Sequence, residues 1–374
     1  MVADTVELTS EQAALRDSVA DLLRRQPPAG DPEVDGAGER EAGLWRSLSE
    51  IGVGGLAIGE QFGGAGAGPV EISVVAEQLG RALAPSPLLG SAVLAARVIL
   101  ATEDQNARNA FLPKISDGSL IASLAWTDSE GDWDPTRAAC YATARGGGGW
   151  TLTGTAHYVL DADLAGVLIV AAAMPDESIG LFEVTPGQPG VAIEATPALD
   201  QTRRLGVVRL AAAADDPLTC GDDASAALAG ARDLACIALS AEQVGAAARA
   251  LELTTGYTKT RIQFGRAIAS FQAIQFRLAE LYALVESARE LSYRTASAAA
   301  EPGPDLPLLA AAAKAYCSEV LSKVAAETIQ LHGAIGITWE YDAHRYFKRA
   351  HGAGRLFGSP SAHLARIAEA VLDS

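Results

Sequence analysis

The sequence is poor in the residues that build metal sites and disulfide networks. Its four cysteines, Cys140, Cys220, Cys236 and Cys317, lie far apart, and its five histidines follow no zinc-binding spacing. We therefore expect no metal site, and we expect all four cysteines to be buried thiols in a reducing cytosol.

Segments suited to a membrane are also lacking. No window approaches the roughly 18 uninterrupted apolar residues of a membrane span, and the first residues have neither the basic nor the apolar region of a secretory signal. Positive charge is scarce, because 29 lysines and arginines stand against 46 acidic residues, for a net charge of −17. This charge argues against nucleic acid or an anionic membrane as a partner. The sequence therefore predicts a soluble, cytoplasmic protein.

The chain does have enough apolar residues for a large interior. Its 374 residues, 49% of them apolar, predict two or three packed regions. Helical periodicity begins after a capping sequence near Ser10 and returns around Trp45, from 71 to 83 and from 92 to 101. Short β-like runs follow between residues 121 and 172, with a hairpin turn at Gly146–Gly149.

The last third is again helical in character. Helical periodicity extends from residue 226 to 300, and further helices are expected from 307 to 331 and from 361 to the end. We predict an α+β protein with a helical domain at 1–118, a β domain at 119–225 and a helical bundle at 226–374.

Three glycine-containing motifs occur in order along this frame. Ile51 to Leu56 with Glu60 to Gly66 resembles "GL…PE.YGG.G" of the acyl-CoA dehydrogenase family. Arg261-Ile-Gln-Phe-Gly265 with Phe271-Gln272 resembles "R..FG……Q", and Gln330 to Gly336 resembles "Q..GG.G". The resemblance covers nearly the whole chain. It implies a helical N-terminal domain, a small β-barrel or β-sandwich and a C-terminal four-helix bundle.

The same resemblance implies FAD at a dimer interface, bound partly by residues of the neighbouring subunit. Arg261 would face the flavin pyrophosphate, where a guanidinium pairs two phosphate oxygens, and Gly333 would let the backbone approach the cofactor closely. The complete set of cofactor residues implied in this way is Arg261, Phe264, Gln272, Gln330, Leu331, His332 and Gly333. A surface salt bridge for Arg261 and an ordinary turn at Gly333–Gly336 are the alternatives.

The glutamate that removes the substrate α-proton in this family is missing. In register with Gly333, its commoner position is Phe357 and its alternative position is Ala235, and neither side chain can accept a proton. Asp233 and Glu242 lie near Ala235, and Glu242, about two helical turns away, is the candidate for a relocated base. Glu340 matches a further glutamate of the family and is expected to be structural.

The segments that would hold this chain's own flavin also depart from the family pattern. Thr127–Asp132 replaces "TEP..GSD", and Tyr158–Leu160 replaces "W.T", so that leucine stands where a hydroxyl is usual. Trp126 and Thr127 are retained as possible isoalloxazine contacts, with a core tryptophan as the alternative. Ser359–Ser361 replaces "TSQ".

The pattern of kept and lost residues favours a partner subunit. This chain would pair with a homologous catalytic acyl-CoA dehydrogenase subunit in an α2β2 hetero-oligomer, resembling the actinobacterial enzymes of steroid and cholesterol side-chain degradation. FAD would be shared at the interface and is not expected in this chain's own pocket, and the acyl-CoA would bind through the partner. The alternatives are an autonomous flavoenzyme with altered chemistry, a dehydrogenase with a relocated base, and a flavin-free scaffold.

Overall fold

A computed structural model describes residues 7–25, 37–301 and 303–372. The chain separates into two compact units. The helical unit comprises the described parts of Met1–Gly30, Pro69–Ala84 and Cys236–Ser374, and the β-containing unit those of Asp31–Gly68 and Pro85–Ala235.

The helical unit begins with a capped helix. The Thr9 side chain accepts a hydrogen bond from the Gln12 backbone N–H, and the Gln12 side chain accepts one from the Thr9 N–H, which completes a capping box. The helices of this unit are α1 (Ser10–Arg24), α3 (Pro69–Ala82), the part of α6 (Asp222–Thr260) that follows Ala235, α7 (Gln272–Ala298), α8 (Leu306–His332), α9 (Ala343–Arg355) and α10 (Pro360–Leu372).

Two glycines bring α3 and α6 into close contact. A Cβ on Gly80 would lie 2.0 Å from the Glu242 carbonyl oxygen, and a Cβ on Gly245 would lie 1.9 Å from that of Glu77. The two backbones therefore approach too closely for any side chain at either position. Beside this contact, Val244, Leu281, Val285, Leu321 and Val324 belong to the buried apolar core of the unit.

The described part of the β-containing unit combines α-helices, including the part of α6 up to Ala235, with one sheet. The other helices are α2 (Ala37–Glu50), α4 (Ala96–Ala101) and α5 (Gln105–Ser116), and a π-helix at Leu88–Ala95 leads directly into α4. The strands are β1 (Ala122–Ala125), β2 (Cys140–Ala144), β3 (Trp150–Leu160), β4 (Val167–Ala173), β5 (Ile179–Val184), β6 (Val191–Ala195), β7 (Leu205–Ala214) and β8 (Thr219–Cys220).

The sheet has the strand order β6-β7-β3-β2-β4-β5-β8, with β1 pairing parallel to β4. The predicted turn at Gly146–Gly149 joins β2 and β3, in which Ala144 pairs with Trp150. A bulge interrupts the β3–β7 pairing between Ala156 and Val159, where Tyr158 has a φ of +55°. Such a bulge redirects the side chains that follow it.

The sequence missed several elements and one exposed thiol. α5, α9 and the π-helix were not predicted, and strands β5 to β8 were not individually foreseen. The expectation that all four cysteines are buried is wrong for Cys220, which lies exposed in the two-residue strand β8. A short strand followed at once by a helix offers too little cover to bury a side chain.

Among the described residues, one helix satisfies the length and composition of a membrane span. α6 passes this test, but 67% of its apolar window is buried inside the protein. It is therefore built as the core helix of a folded domain.

Candidate functional site

Arg261 lies at the end of α6 and leads into an exposed hairpin. Strands β9 (Ile262–Gln263) and β10 (Arg266–Ala267) form the hairpin, and Phe264 at its tip is 90% exposed with a φ of +53°. The Arg261 side chain is exposed and has no hydrogen bond or ion pair with any described residue. The surface salt bridge considered for Arg261 is therefore not formed within the described chain.

The predicted nucleotide residue Gln272 begins α7, directly after this hairpin. The Ile268 N–H donates to the Arg261 carbonyl at 2.9 Å, and the Phe271 N–H donates to the Ile268 carbonyl at 3.1 Å. These bonds fix the chain between Arg261 and the first turn of α7. The Gln272 side chain is exposed and has no hydrogen-bond partner in the described chain.

The third motif forms the C-terminal end of α8. Gln330 is exposed, Leu331 and His332 are buried, and Gly333 ends the helix with a φ of +65° and a ψ of −145°. That conformation is accessible in practice only to glycine. No atom lies within 4 Å of the position of a Cβ on Gly333, so the space beside its backbone is open. A ligand could approach the main chain here without obstruction.

Tyr257 joins the two cofactor motifs and was not predicted from the sequence. Its ring stacks on the His332 ring, with centroids 4.4 Å apart, and its backbone carbonyl accepts from the Arg261 N–H at 2.8 Å. Burial lowers the pKa of His332, although the bond between Nδ1 and the Thr328 carbonyl opposes the shift. The only signal in the sequence was an aromatic residue one helical turn before Arg261.

Phe357, which the sequence predicts at the commoner position of the missing base, is 1% exposed. Its φ of +61° is unusual for a bulky residue. The turn is held in place because the His363 Nε2 lies 3.1 Å from the Phe357 carbonyl oxygen and the Lys314 ammonium donates to the Gly358 carbonyl at 3.3 Å. Lys314 also donates to the Ser318 hydroxyl at 2.9 Å.

The alternative position and its neighbours offer no free carboxylate. Ala235 is fully buried. The Asp233 carboxylate lies 3.4 Å from the Arg232 guanidinium. Glu242 is paired with Arg349 at 2.5 Å, and these side chains are only 8% and 2% exposed. A buried ion pair of this kind keeps the carboxylate occupied by its partner. Glu340, in contrast, is exposed.

Trp126 and Thr127 are used by the β-containing unit itself. The Trp126 indole N–H donates to the Arg137 carbonyl at 2.8 Å, and its ring packs edge-on against Trp133. The Thr127 hydroxyl donates to the His157 carbonyl at 2.7 Å. Within the described chain, both side chains have the roles of core residues.

The loop after Thr127 is closed on itself. Asp128, Asp132 and Asp134 accept hydrogen bonds from backbone N–H groups of the loop, and Arg137 pairs with Asp132 at 2.8 Å. Backbone donors that a phosphate or flavin could use are therefore bonded to aspartates. Leu160, in place of the usual hydroxyl, is buried.

Comparison with known proteins agrees with the motifs. The family model for the acyl-CoA dehydrogenase N-terminal domain matches residues 9–119, and the model for the C-terminal domain matches residues 226–372. Acyl-CoA dehydrogenase IpdE2 of Mycobacterium tuberculosis is 38% identical over 369 residues, which cover 97% of this chain and 98% of IpdE2.

Two solved structures contain chains that are similar to this one, and each carries the names of two proteins. A variant of the Tcur3481-Tcur3483 steroid ACAD is 32% identical, with a TM-score of 0.84 over 97% of this chain and 98% of that one. The ChsE4-ChsE5 complex of Mycobacterium tuberculosis is 27% identical, with a TM-score of 0.85 over 98% and 99%. The motifs, the fold and these relatives together place the chain in the acyl-CoA dehydrogenase family of FAD-dependent oxidoreductases.

Proposed function

We propose that this chain is the non-catalytic subunit of a heteromeric acyl-CoA dehydrogenase that desaturates a steroid-derived acyl-CoA in the cytoplasm. It would assemble with a homologous, glutamate-bearing subunit as an α2β2 complex and complete the FAD site of that subunit. The observation that carries the proposal is a contrast within one unit. Phe357, at the predicted base position, is buried, whereas Arg261, Gln272 and Gln330 are exposed and their side chains bond no described residue.

The exposed residues fit the cofactor that the family uses. FAD supplies the hydride acceptor when it is bound. The Arg261 guanidinium would neutralise the pyrophosphate, the Gln272 and Gln330 amides would bond the nucleotide portion, and the open backbone at Gly333 would admit it. Tyr257 would hold the two motifs in a fixed arrangement through its stack on His332.

The apolar base positions support assignment of proton abstraction to the partner. Phe357 and Ala235 have no group that could take the α-proton, and the Glu242 carboxylate is already bound by Arg349. The relatives support both assembly and substrate class. The Tcur3481-Tcur3483 protein is named as a steroid ACAD, and ChsE4 and ChsE5 are named as a complex.

The Arg261→Ala variant tests this assignment. A charge-assisted bond to phosphate contributes on the order of 1.5–3 kcal/mol, so the variant complex should bind FAD about ten- to hundredfold more weakly. Assembly should persist, because the Arg261 side chain makes no hydrogen bond or ion pair with any described residue. Flavin per complex is measured by absorbance, and assembly by gel filtration.

The matched control is the corresponding arginine of the catalytic subunit, which would face this chain's altered pocket. Its alanine variant should retain nearly all the flavin. Equal flavin loss from both variants, or none from Arg261→Ala, would contradict the proposal.

A further inference from the structure

One face of α9 carries a row of basic side chains. Arg345, Lys348 and Arg355 are three and seven residues apart, which places them along one side of a helix. The exposed His351 lies between them. We call Arg345, Lys348 and Arg355 the cationic face of α9. It contrasts with the net charge of −17 of the whole chain.

Of the three cations, Arg345 is paired with a carboxylate and its side chain is only 16% exposed. Lys348 and Arg355 form no ion pair with any described residue. Asp342 lies 3.5 Å from the Arg345 guanidinium. The charges of this face also act on His344. Burial lowers the pKa of its imidazole, Lys348 and Arg345 lower it further, and Asp342 opposes the shift. The positive charge of this face that no described carboxylate pairs with is therefore that of Lys348 and Arg355.

An exposed aromatic residue lies under two of these cations. The Lys348 ammonium is 4.8 Å and the Arg345 guanidinium 5.5 Å from the centroid of the Trp339 ring. Trp339 is 55% exposed, and the nearby Ile337 is also exposed. Tryptophan and arginine beside exposed apolar groups are typical of the centres of protein interfaces.

The cationic face is continuous with the residues assigned to the partner's flavin. Trp339 follows the turn that begins at Gly333, and the Tyr341 ring packs edge-on against His332 with centroids 5.7 Å apart. A subunit that places its flavin against Gln330 and Gly333 would therefore also meet the surface around Trp339.

We propose that the cationic face of α9 and Trp339 dock an acidic surface of the catalytic subunit. Lys348 and Arg355 have no carboxylate partner in the described chain, and an opposing acidic surface would neutralise their charge. Because the patch adjoins the flavin residues, the charge pairing would also orient the two subunits so that Arg261 meets the pyrophosphate. This inference rests on the proposed function, since it takes the glutamate-bearing homologue as the partner.

The test is dissociation of the co-purified complex, so that neither subunit needs to be stable alone. The complex of this chain with the glutamate-bearing homologue of the same genome is diluted in about 50 mM and about 500 mM NaCl, where screening differs strongly. Mass photometry gives the Kd from the heteromer fraction. At the lower salt, Lys348→Glu and Arg355→Glu should each weaken the complex about tenfold, and the effect should fall below about threefold at the higher salt.

Arg145→Glu is the matched control, because Arg145 is exposed in the β2–β3 turn and forms no ion pair in the described chain. It should leave the Kd unchanged. The wild-type complex should itself weaken with salt, which tests the idea without any variant. The inference is overturned, while the proposed function stands, if the Kd of the wild-type complex does not change with salt. It is also overturned if Arg145→Glu weakens the complex as much as Lys348→Glu and Arg355→Glu do. If no heteromer forms at either salt, the proposed function fails and the inference fails with it.

Discussion

Phe357 combines an unusual backbone conformation with a side chain that cannot take a proton. Its φ of +61° costs on the order of 1–3 kcal/mol for a residue of this type. The conformation persists because Lys314 and His363 hold the carbonyls of Gly358 and Phe357. The turn is therefore determined by its surroundings, and the side chain at 357 only fills the space that they leave.

Phe357→Glu should accordingly fail to restore dehydrogenation by this chain. The new carboxylate would enter a fully buried position, and Leu160 and the closed loop after Thr127 would still hold flavin and thioester poorly, to which catalysis is very sensitive. Loss of the buried ring also lowers stability, by about 3–5 kcal/mol in comparable cases. Enoyl-CoA absorbance is the measurement, and Phe357→Gln controls for folding. Rapid turnover by Phe357→Glu alone would show that the site is more complete than we infer.

Lys314 makes the stability of this protein depend on pH. Burial lowers the pKa of its ammonium from 10.5 to about 8, although Cys236 and Cys317 act in the opposite direction. Between these values the unfolded chain binds more protons than the folded one, so the free energy of unfolding rises with pH. The contribution is about 3 kcal/mol across that window.

The Lys314→Met variant isolates this contribution. Wild-type stability should rise relative to the variant from about pH 8 to pH 10.5, as measured by urea unfolding at several pH values. The wild-type protein has to be compared with Lys314→Met because a second group also titrates at alkaline pH. Burial raises the pKa of the Cys140 thiol to about 12, which lowers the stability of the wild type and the variant alike. Parallel curves for the two proteins would show that Lys314 titrates normally.

At the scale of elements, the contact between α3 and α6 depends on two small residues. Gly245→Ala would place a Cβ 1.9 Å from the Glu77 carbonyl oxygen, where neither backbone can move without separating the helices. We expect a loss of about 1–3 kcal/mol in the free energy of unfolding, as for overpacked cores, measured by urea denaturation.

Gly256→Ala is the matched control in the same helix. No described atom outside the adjacent backbone of α6 lies within 4 Å of its Cβ position, so the better helix propensity of alanine should stabilise the protein by about 0.5–1 kcal/mol. Equal destabilisation by both substitutions would mean that α3 and α6 do not approach as closely in solution as they do in this structure.

For the molecule as a whole, the purified chain alone should contain little flavin and form no enoyl-CoA. In the proposed complex it would contribute half of a shared cofactor site, and the carboxylates near Ala235 in the sequence, Glu242 and Asp233, are paired with Arg349 and Arg232. Absorbance spectra and turnover with acyl-CoA and an artificial electron acceptor give both results. Enoyl-CoA formation that disappears in Glu242→Gln, with folding intact, would instead identify a relocated base.

Part of the fold and part of the candidate site could be predicted from residues that are close together in the chain. The order of helices, strands and helices follows from periodicity and turns, and the absence of a base at Phe357 and Ala235 follows from counting along motifs. The β2–β3 hairpin was also predicted, because its glycine turn is local. α9 was missed although Ala343, Tyr346 and Ala350 recur at helical spacing and are buried within the helical unit.

The sequence by itself thus determined the family and which chemical groups are present. Only the tertiary structure decided which of those groups are available. Glu242 and Arg349 lie far apart in the chain, and packing alone makes them a buried pair. Tyr257 and His332 meet because α6 and α8 pack together, and so they join two motifs that are separate in sequence. The reason is physical: a side chain's identity is local, whereas its burial and its partners depend on residues that only folding brings near.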